Sequence, residues 1–436
     1  MPQAIDRRRF LQAGLAGAAA AAMPRLLHAA PAARRSAPNI ILILADDYGI
    51  PGVGCYGGDF ATPHLDAMAA QGVRFEHCYA EPLCAPSRAM LMTGRFPFRT
   101  GSISNNARTV TPQTETIIPM ALKQAGYATA MAGKWSQLMH LSTLDEARAW
   151  GFDEYMAWES AEGGRYWNPA LSRNGQPVAT TDKDFGPDLL NDYVIDFIGR
   201  HKDQPFFVYY PTPLIHSRLS PTPHGTSGKG LLADNIAYMD HLVGALLAEL
   251  DRLNLSENTL VLFTGDNGMG LNGKIHGRPI HGDKGSMLEG GSRVPLIARW
   301  TGTAHAGRVV QDLVQLSDFY ATCTELAGAR LPQGVTMDSH SFAAQLQGKP
   351  GKPREWVFIQ LVDQWYVRDS RWKLTQAGEL FDMADAPFQE IAVPADTQDR
   401  DAIAGRRKLQ AVLDALQPTA SRRGDHVGQG RPRRQR

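Results

Sequence analysis

Sulfur, net charge and long apolar stretches are all scarce in this chain, and each scarcity removes a class of protein. Four cysteines are present, Cys55, Cys78, Cys84 and Cys323. None stands in a CxxC or Cys/His spacing, so no structural zinc site is encoded. A formal net charge of +1 leaves no polycationic body, and no nucleic-acid partner is expected. After Met23 no apolar run approaches the roughly 20 residues of a spanning helix, so no stable membrane association is expected. No internal repeat is visible. What remains is the composition of a globular protein: 436 residues, 43% hydrophobic and 20% charged, enough for one large α/β domain and a smaller one.

The two ends differ from that body. DRRRFLQAGLAGAAAAAM joins Arg7 and Arg8 to Phe10, Leu11 and an Ala/Gly-rich apolar run, and small residues follow in HAAPAARR. This is the pattern of a twin-arginine signal peptide, assigned to 1–32. Export by the Tat machinery would leave the mature protein in a bacterial periplasm or outside the cell. The tail, 419–436, is basic and Gly-rich without apolar periodicity and reads as disordered. An oxidising compartment permits disulfides, and both Cys78 with Cys84 and Cys55 with Cys78 are open pairings.

Between the ends, strand and helix signals alternate. NIILILA, YATAMA, FFVYY and TLVLFT are short, nearly continuous apolar runs, the pattern of strands buried on both faces. TPHLDAMAAQG, TETIIPMALKQAG and LLADNIAYMDHLVGALLAELDRL have helical spacing and lie between them. The predicted fold is α/β, a large mainly parallel sheet flanked by helices, over 38–344. From about residue 345 the pattern changes to an antiparallel meander and one helix, AIAGRRKLQAVLDALQ, giving a smaller C-terminal subdomain over 345–418.

Polar residues follow the strands. NIILILA ends in Asp46 and Asp47, YATAMA leads to Lys134, FFVYY to His216, and TLVLFT to Asp266 and Asn267. In open α/β sheets ligands bind beyond the carboxyl ends of the strands, so four strands deliver charge to one edge. Singly each motif is weak, since a DD pair after a strand also serves as a helix cap. Together, three carboxylates would repel one another without a cation between them. Asp46, Asp47, Asp266 and Asn267 form an all-oxygen set suited to Ca²⁺, or less well Mg²⁺, rather than zinc. Arg88, Lys134, Lys284 and His216 would bind an anion, and Cys84 opens a helix-like run at a place where anions dock.

CAPSRAMLMTGR resembles the type I sulfatase signature, Cys-x-Pro-Ser-Arg followed by Leu/Met-Thr-Gly-Arg. The chain also carries PNIILILADDYG, TPHLDAMAAQGVRF, AGKW, TGDNG, KGSMLEGGSRVP and GELFDM in the order of that family, a branch of the alkaline phosphatase superfamily. The resemblance runs from Pro38 to about Pro387. It implies that a formylglycine-generating enzyme oxidises Cys84 to Cα-formylglycine, whose hydrate carries two hydroxyls. One, at the metal, attacks sulfur, with Asp266 the candidate to take its proton; loss of the second hydroxyl's proton ejects sulfate. By the same resemblance Cys84 joins the metal ligands, Arg88 holds the diol and the carboxylates, Lys134 and Lys284 neutralise sulfate oxygens, and His216 with Lys284 protonates the departing oxygen.

One position departs from the family. After GKW a histidine is usual, and this chain has Ser136; His140 is the nearest replacement base. Two other readings fit the same residues: a phosphonate monoester or phosphodiester hydrolase using the same nucleophile, and an unmodified binding protein without activity. The substrate implied is an aryl or carbohydrate sulfate ester. Trp158, Tyr166 and Trp167 border the predicted cleft, where stacking on substrate and plain loop packing are both open.

Overall fold

The computed structural model describes residues 37–107, 109–135, 143–158, 164–271 and 273–420. The predicted signal segment, residues 421–436 of the tail, Ser136 and His140 lie outside the described residues. Among the described residues ten strands form the principal sheet, in the order Arg308–Gln315, Val73–Tyr79, Arg293–Arg299, Thr259–Gly265, Asn39–Ala45, Phe206–Tyr210, Ala128–Lys134, Glu154–Trp158, Leu171–Arg173 and Gln176–Pro177. At its centre Asn39–Ala45 runs parallel to both neighbours, with Leu42 opposite Leu262 on one side and Tyr209 on the other. Ala128–Lys134 and Glu154–Trp158 continue the parallel set. Arg293–Arg299 enters antiparallel between Thr259–Gly265 and Val73–Tyr79, so the sheet is mixed toward that edge.

The apolar runs form central strands because they have two cores to fill. All seven residues of Asn39–Ala45 are buried. Ile40, Leu42 and Leu44 pack with Phe207 and Tyr209 on one face, while Ile41 and Ile43 pack with Val208, Tyr210, Val261 and Phe263 on the other. This is the period-two alternation of a strand, and each such side chain stabilises the fold by about 1.5–3 kcal/mol through burial. Helices cover both faces. Leu231–Arg252 lays Ile236, Met239, Val243, Leu246 and Leu250 on the second core at helical spacing. Cys84–Thr93, Ile118–Gln124 and Asp318–Ala327 cover the first.

A five-stranded antiparallel sheet, Val357–Leu361, Gln364–Arg368, Trp372–Thr375, Leu380–Asp382 and Ile391–Val393, follows with the helix Arg400–Leu416 on one face. Gly405 lets that helix approach Trp372, since a Cβ there would lie 2.4 Å from Trp372 Cδ1. Buried polar ties join this sheet to the rest. Arg368 pairs with Glu289 at 2.6 Å and bonds the Tyr79 hydroxyl at 2.7 Å. The Gln360 amide donates to Glu81 Oε2 at 2.6 Å, just ahead of Cys84. From Ala37 onward the chain makes one compact unit.

The four cysteines are free, so neither open disulfide pairing forms. Cys78 is buried in the core on one face of the sheet, whereas Cys55 packs against the core on the opposite face. The sheet itself stands between them.

Candidate active site

Asp46 and Asp47 follow the central strand directly, and Asp266 and Asn267 follow its neighbour. Gly265 permits the close approach of the two turns, because a Cβ on it would fall 2.0 Å from the Tyr48 carbonyl oxygen. Asp47 has φ 60, a left-handed conformation that a short polar residue tolerates. Its amide donates to Asp266 Oδ1 at 2.9 Å, and Asn267 Nδ2 donates to Asp47 Oδ1 at 2.9 Å. Lys134 closes the adjoining Ala128–Lys134 strand after Gly133, whose φ of 129 brings it against the Pro211 carbonyl.

Cys84 is the first residue of the Cys84–Thr93 helix and is 3% exposed. Asn105 accepts the Ala85 amide at 3.0 Å and so holds the helix start. One turn on, Arg88 is buried and reaches back with Nε at 2.8 Å and Nη2 at 2.7 Å from Asp266 Oδ2, and with Nη2 3.6 Å from Asp46 Oδ1. Lys134 Nζ lies 2.6 Å from Asp46 Oδ2. Lys284 Nζ lies 2.5 Å from Asp47 Oδ1 and 3.6 Å from the Cys84 sulfur. His216 Nε2 faces Asp47 Oδ2 at 3.9 Å. All nine residues named as metal or catalytic candidates within the described residues therefore meet at one place.

Charge is balanced locally. Burial favours protonation of Asp46, but Lys134, Arg88 and His216 outweigh it and hold the carboxyl well below the usual range. Burial pushes the Asp266 carboxyl up to about 6 against the pull of Arg88. The Cys84 thiol is raised by burial and then by Asp266, so the encoded sulfur is a protonated thiol. Burial lowers His216 more than Asp46 raises it. Burial opposes charge on Lys284, yet the carboxylates of Asp47, Asp266 and Asp46 favour it. Ligand atoms of Asp46, Asp47, Cys84 and His216 lie within 4.8 Å of one another. Among the described residues, Asp46 Oδ1 and Asn267 Oδ1 are buried without a hydrogen-bond partner. Buried oxygens without donors are the groups a cation satisfies.

A cavity of about 490 Å³ opens beside the cluster, with Asp47, His216 and Lys284 at one end and Ile215, Leu219, Leu232, Met269 and Leu271 along its wall. The aromatic residues expected at the cleft have other tasks. Trp158 and Tyr166 are buried, and Arg165 lies over the Trp158 ring. Arg165 and Asn105 were not among the sequence candidates. Neither stands in a motif or ends a strand, so only tertiary contacts reveal them.

The sulfatase family profile matches residues 38–329. The N-acetylgalactosamine-6-sulfatase of Canis lupus familiaris is 36% identical over 338 residues, covering 69% of this chain and 64% of that protein. Arylsulfatase D of Homo sapiens is 28% identical over 446 residues, covering 79% of this chain and 74% of that protein. The crystal structure of Ps i-CgsB in complex with k-i-k-neocarrahexaose superposes with a TM-score of 0.76 at 26% identity, covering 87% of this chain and 93% of the other. With the mixed sheet, the motif order and the profile in agreement, the chain belongs to the sulfatase family, sulfuric ester hydrolases of the alkaline phosphatase superfamily.

Proposed function

We propose that Cys84, converted to Cα-formylglycine by a formylglycine-generating enzyme, is the nucleophile with which this sulfatase cleaves an organic sulfate ester and releases inorganic sulfate. The observation that carries this reading is the meeting of Cys84 with Asp46, Asp47 and His216 within 4.8 Å, with Lys284 3.6 Å from the sulfur. As a buried protonated thiol, the encoded side chain is a poor nucleophile, and the groups around it are arranged for charged oxygen. The hydrated aldehyde supplies two hydroxyls on one carbon, one to attack sulfur and one to expel sulfate.

One divalent cation, Ca²⁺ in preference to Mg²⁺, is assigned to Asp46, Asp47, Asp266 and Asn267, with residue 84 as a further ligand. Asp46 Oδ1 and Asn267 Oδ1, buried and without a hydrogen bond among the described residues, support it. When bound, such a cation supplies Lewis-acid polarisation at the reacting centre. The chain's own residues do the rest. Arg88 fixes Asp266 and Asp46, Lys134 and Lys284 neutralise sulfate oxygens, and Lys284 with His216 faces the departing oxygen. Ser136 leaves the proton of the second hydroxyl without the family's usual acceptor, and His140 is the candidate base for it.

The substrate is an aryl or carbohydrate sulfate. The aliphatic wall of the cavity supports an aryl group, and the names of the galactosamine sulfatase relative and of the neocarrahexaose complex support a saccharide. Export by the Tat machinery to the periplasm or beyond is supported by the N-terminal arginine pair, and no helix among the described residues is long and apolar enough to cross a membrane. The test is peptide mass spectrometry of residue 84 together with a screen of the modified protein against aryl sulfates, sugar sulfates and a phosphonate monoester. Aldehyde at residue 84 and turnover of a sulfate ester are expected. Turnover of the phosphonate alone, or wholly unmodified Cys84 in protein from its host, would overturn the reading.

A further inference from the structure

The contacts of His216 lead beyond its position. Its Nδ1 lies 2.7 Å from Nη1 of Arg165, whose Nη2 donates to the Ser217 carbonyl oxygen at 2.6 Å. That guanidinium rests 4.8 Å from the centre of the Trp158 ring and 5.8 Å from that of Tyr166. Tyr166 donates its hydroxyl to the His216 carbonyl at 2.7 Å, and Trp167 Nε1 donates to the Pro221 carbonyl at 2.7 Å. Three consecutive residues thus clasp the loop that carries His216. Arg165 is the one that touches the imidazole.

A guanidinium has donors and no acceptor. Facing it at 2.7 Å, Nδ1 has to present a lone pair, because a proton there would point at an N–H. The Ser217 carbonyl oxygen also lies 2.5 Å from Nδ1, a contact that by itself suggests an Nδ1–H donor. That oxygen already accepts a hydrogen bond from Nη2, however, so it does not depend on a proton at Nδ1. The opposite assignment sets two donors face to face. With Nδ1 bare, the hydrogen of a neutral ring sits on Nε2, the nitrogen turned toward Asp47.

We infer that Arg165 is a positioning residue that holds His216 as the neutral Nε2–H tautomer, so that the imidazole gives the departing ester oxygen a hydrogen bond and has no lone pair there for a metal. The catalytic half of this statement rests on the sulfatase mechanism proposed above; the tautomer does not. As the S–O bond breaks, its electron pair passes to the alcohol oxygen. Nε2–H steadies that charge without leaving the ring, and the proton that completes the alcohol comes from Lys284 Nζ. His216 drops out of the four-residue cluster of possible ligands, which removes its only imidazole and leaves Asp46, Asp47 and residue 84, an oxygen ligand once it is formylglycine.

Correlation spectra of the ring nitrogens in the full chain, labelled with ¹⁵N-histidine, read the tautomer directly, with His216→Gln used only to assign the signals. The wild-type protein should show His216 protonated at Nε2 and bare at Nδ1. Arg165→Ala should move the hydrogen to Nδ1, where the Ser217 carbonyl accepts it, and Arg165→Lys should keep the wild-type pattern. In turnover of aryl sulfates of graded leaving-group acidity, Arg165→Ala should lose about 10-fold in kcat/KM for the poorest leaving groups, the scale of one hydrogen bond to developing charge. For the most activated ester the loss should be about 2-fold or less, and Arg165→Lys should recover most of the difference. A wild-type signal with Nδ1 protonated, or an equal loss across the series, would overturn the inference whether or not the variant folds well. Absence of turnover on every sulfate ester by formylglycine-bearing protein would instead refute the proposed function and leave the spectra to decide the tautomer.

Discussion

At the scale of the residue, Cys84 separates chemistry from stability. Its side chain is buried at the first turn of a helix whose packing is done by Ala89, Met90, Leu91 and Met92. Cys84→Ala should therefore cost about 1 kcal/mol in stability, a single-atom deletion, while abolishing turnover. A circular-dichroism melt and a turnover assay on the same preparation check this, and residual activity above about 1% would contradict the nucleophile assignment. Arg88 is the converse case, with two strong bonds to Asp266 inside the fold. Arg88→Ala leaves buried carboxylates without their partner, and losing one member of a buried pair typically costs about 3–5 kcal/mol. Its signature should be lost folding, visible in a denaturant titration, before any loss of chemistry can be read.

At the scale of the element, the site is an accumulation of strand ends. A strand's last residue is aimed by the sheet, so Lys134 depends on the backbone that precedes it. Gly133 has φ 129, and a Cβ there would meet the Pro211 carbonyl oxygen at 2.0 Å. Gly133→Ala should strain the backbone by about 1–3 kcal/mol and displace Lys134 from Asp46. The expected result is at least a 10-fold drop in kcat/KM with a modest fall in Tm. Unchanged kinetics would show that Lys134 is not needed where the structure puts it. Helix starts matter in the same way, since Asn105 secures the Ala85 amide in the first turn of the Cys84 helix.

At the scale of the whole molecule, two conditions tie the parts together. The C-terminal sheet is joined to the rest by the buried Glu289–Arg368 pair. Burial alone would raise the Glu289 carboxyl, but Arg368 and Arg293 outweigh it and hold it at about 2 against an ordinary 4.5. A folded value below the unfolded one means that the carboxylate stabilises the fold above about pH 4.5 and that this contribution fades as the pH falls toward 2. Glu289→Gln should lower Tm at pH 7 and flatten the decline of Tm across that window. An acid profile parallel to the wild type would disprove the linkage. The proposed cation would be the second condition. Chelation should abolish activity and lower Tm, with Ca²⁺ restoring both, because a ligand at about 100 times its Kd stabilises by about 2.7 kcal/mol. Stoichiometric zinc by elemental analysis, or full activity after exhaustive chelation, would refute the assignment.

The sequence by itself determined the strands and the groups at their ends. After Asn39, whose amide is held inside by Thr259, NIILILA has no polar residue to place on a solvent face, so it had to lie between two cores, and the acids that follow it had to emerge at the sheet edge. That made Asp46, Asp47, Lys134, His216, Asp266 and Asn267 legible, while Cys84, Arg88 and Lys284 were legible from an ordered motif. The tertiary structure alone decided which side chains pair: Arg88 with Asp266, Lys134 with Asp46, Lys284 with Asp47. It also placed Cys55 and Cys78 on opposite faces of a sheet, where no bridge can form, although they stand close enough along the chain to meet. Arg165 was invisible for the same reason. Its partners are a histidine 51 positions away and a neighbouring carbonyl, and a hydrogen bond between distant segments is a property of how the chain closes on itself, which no local period or spacing records.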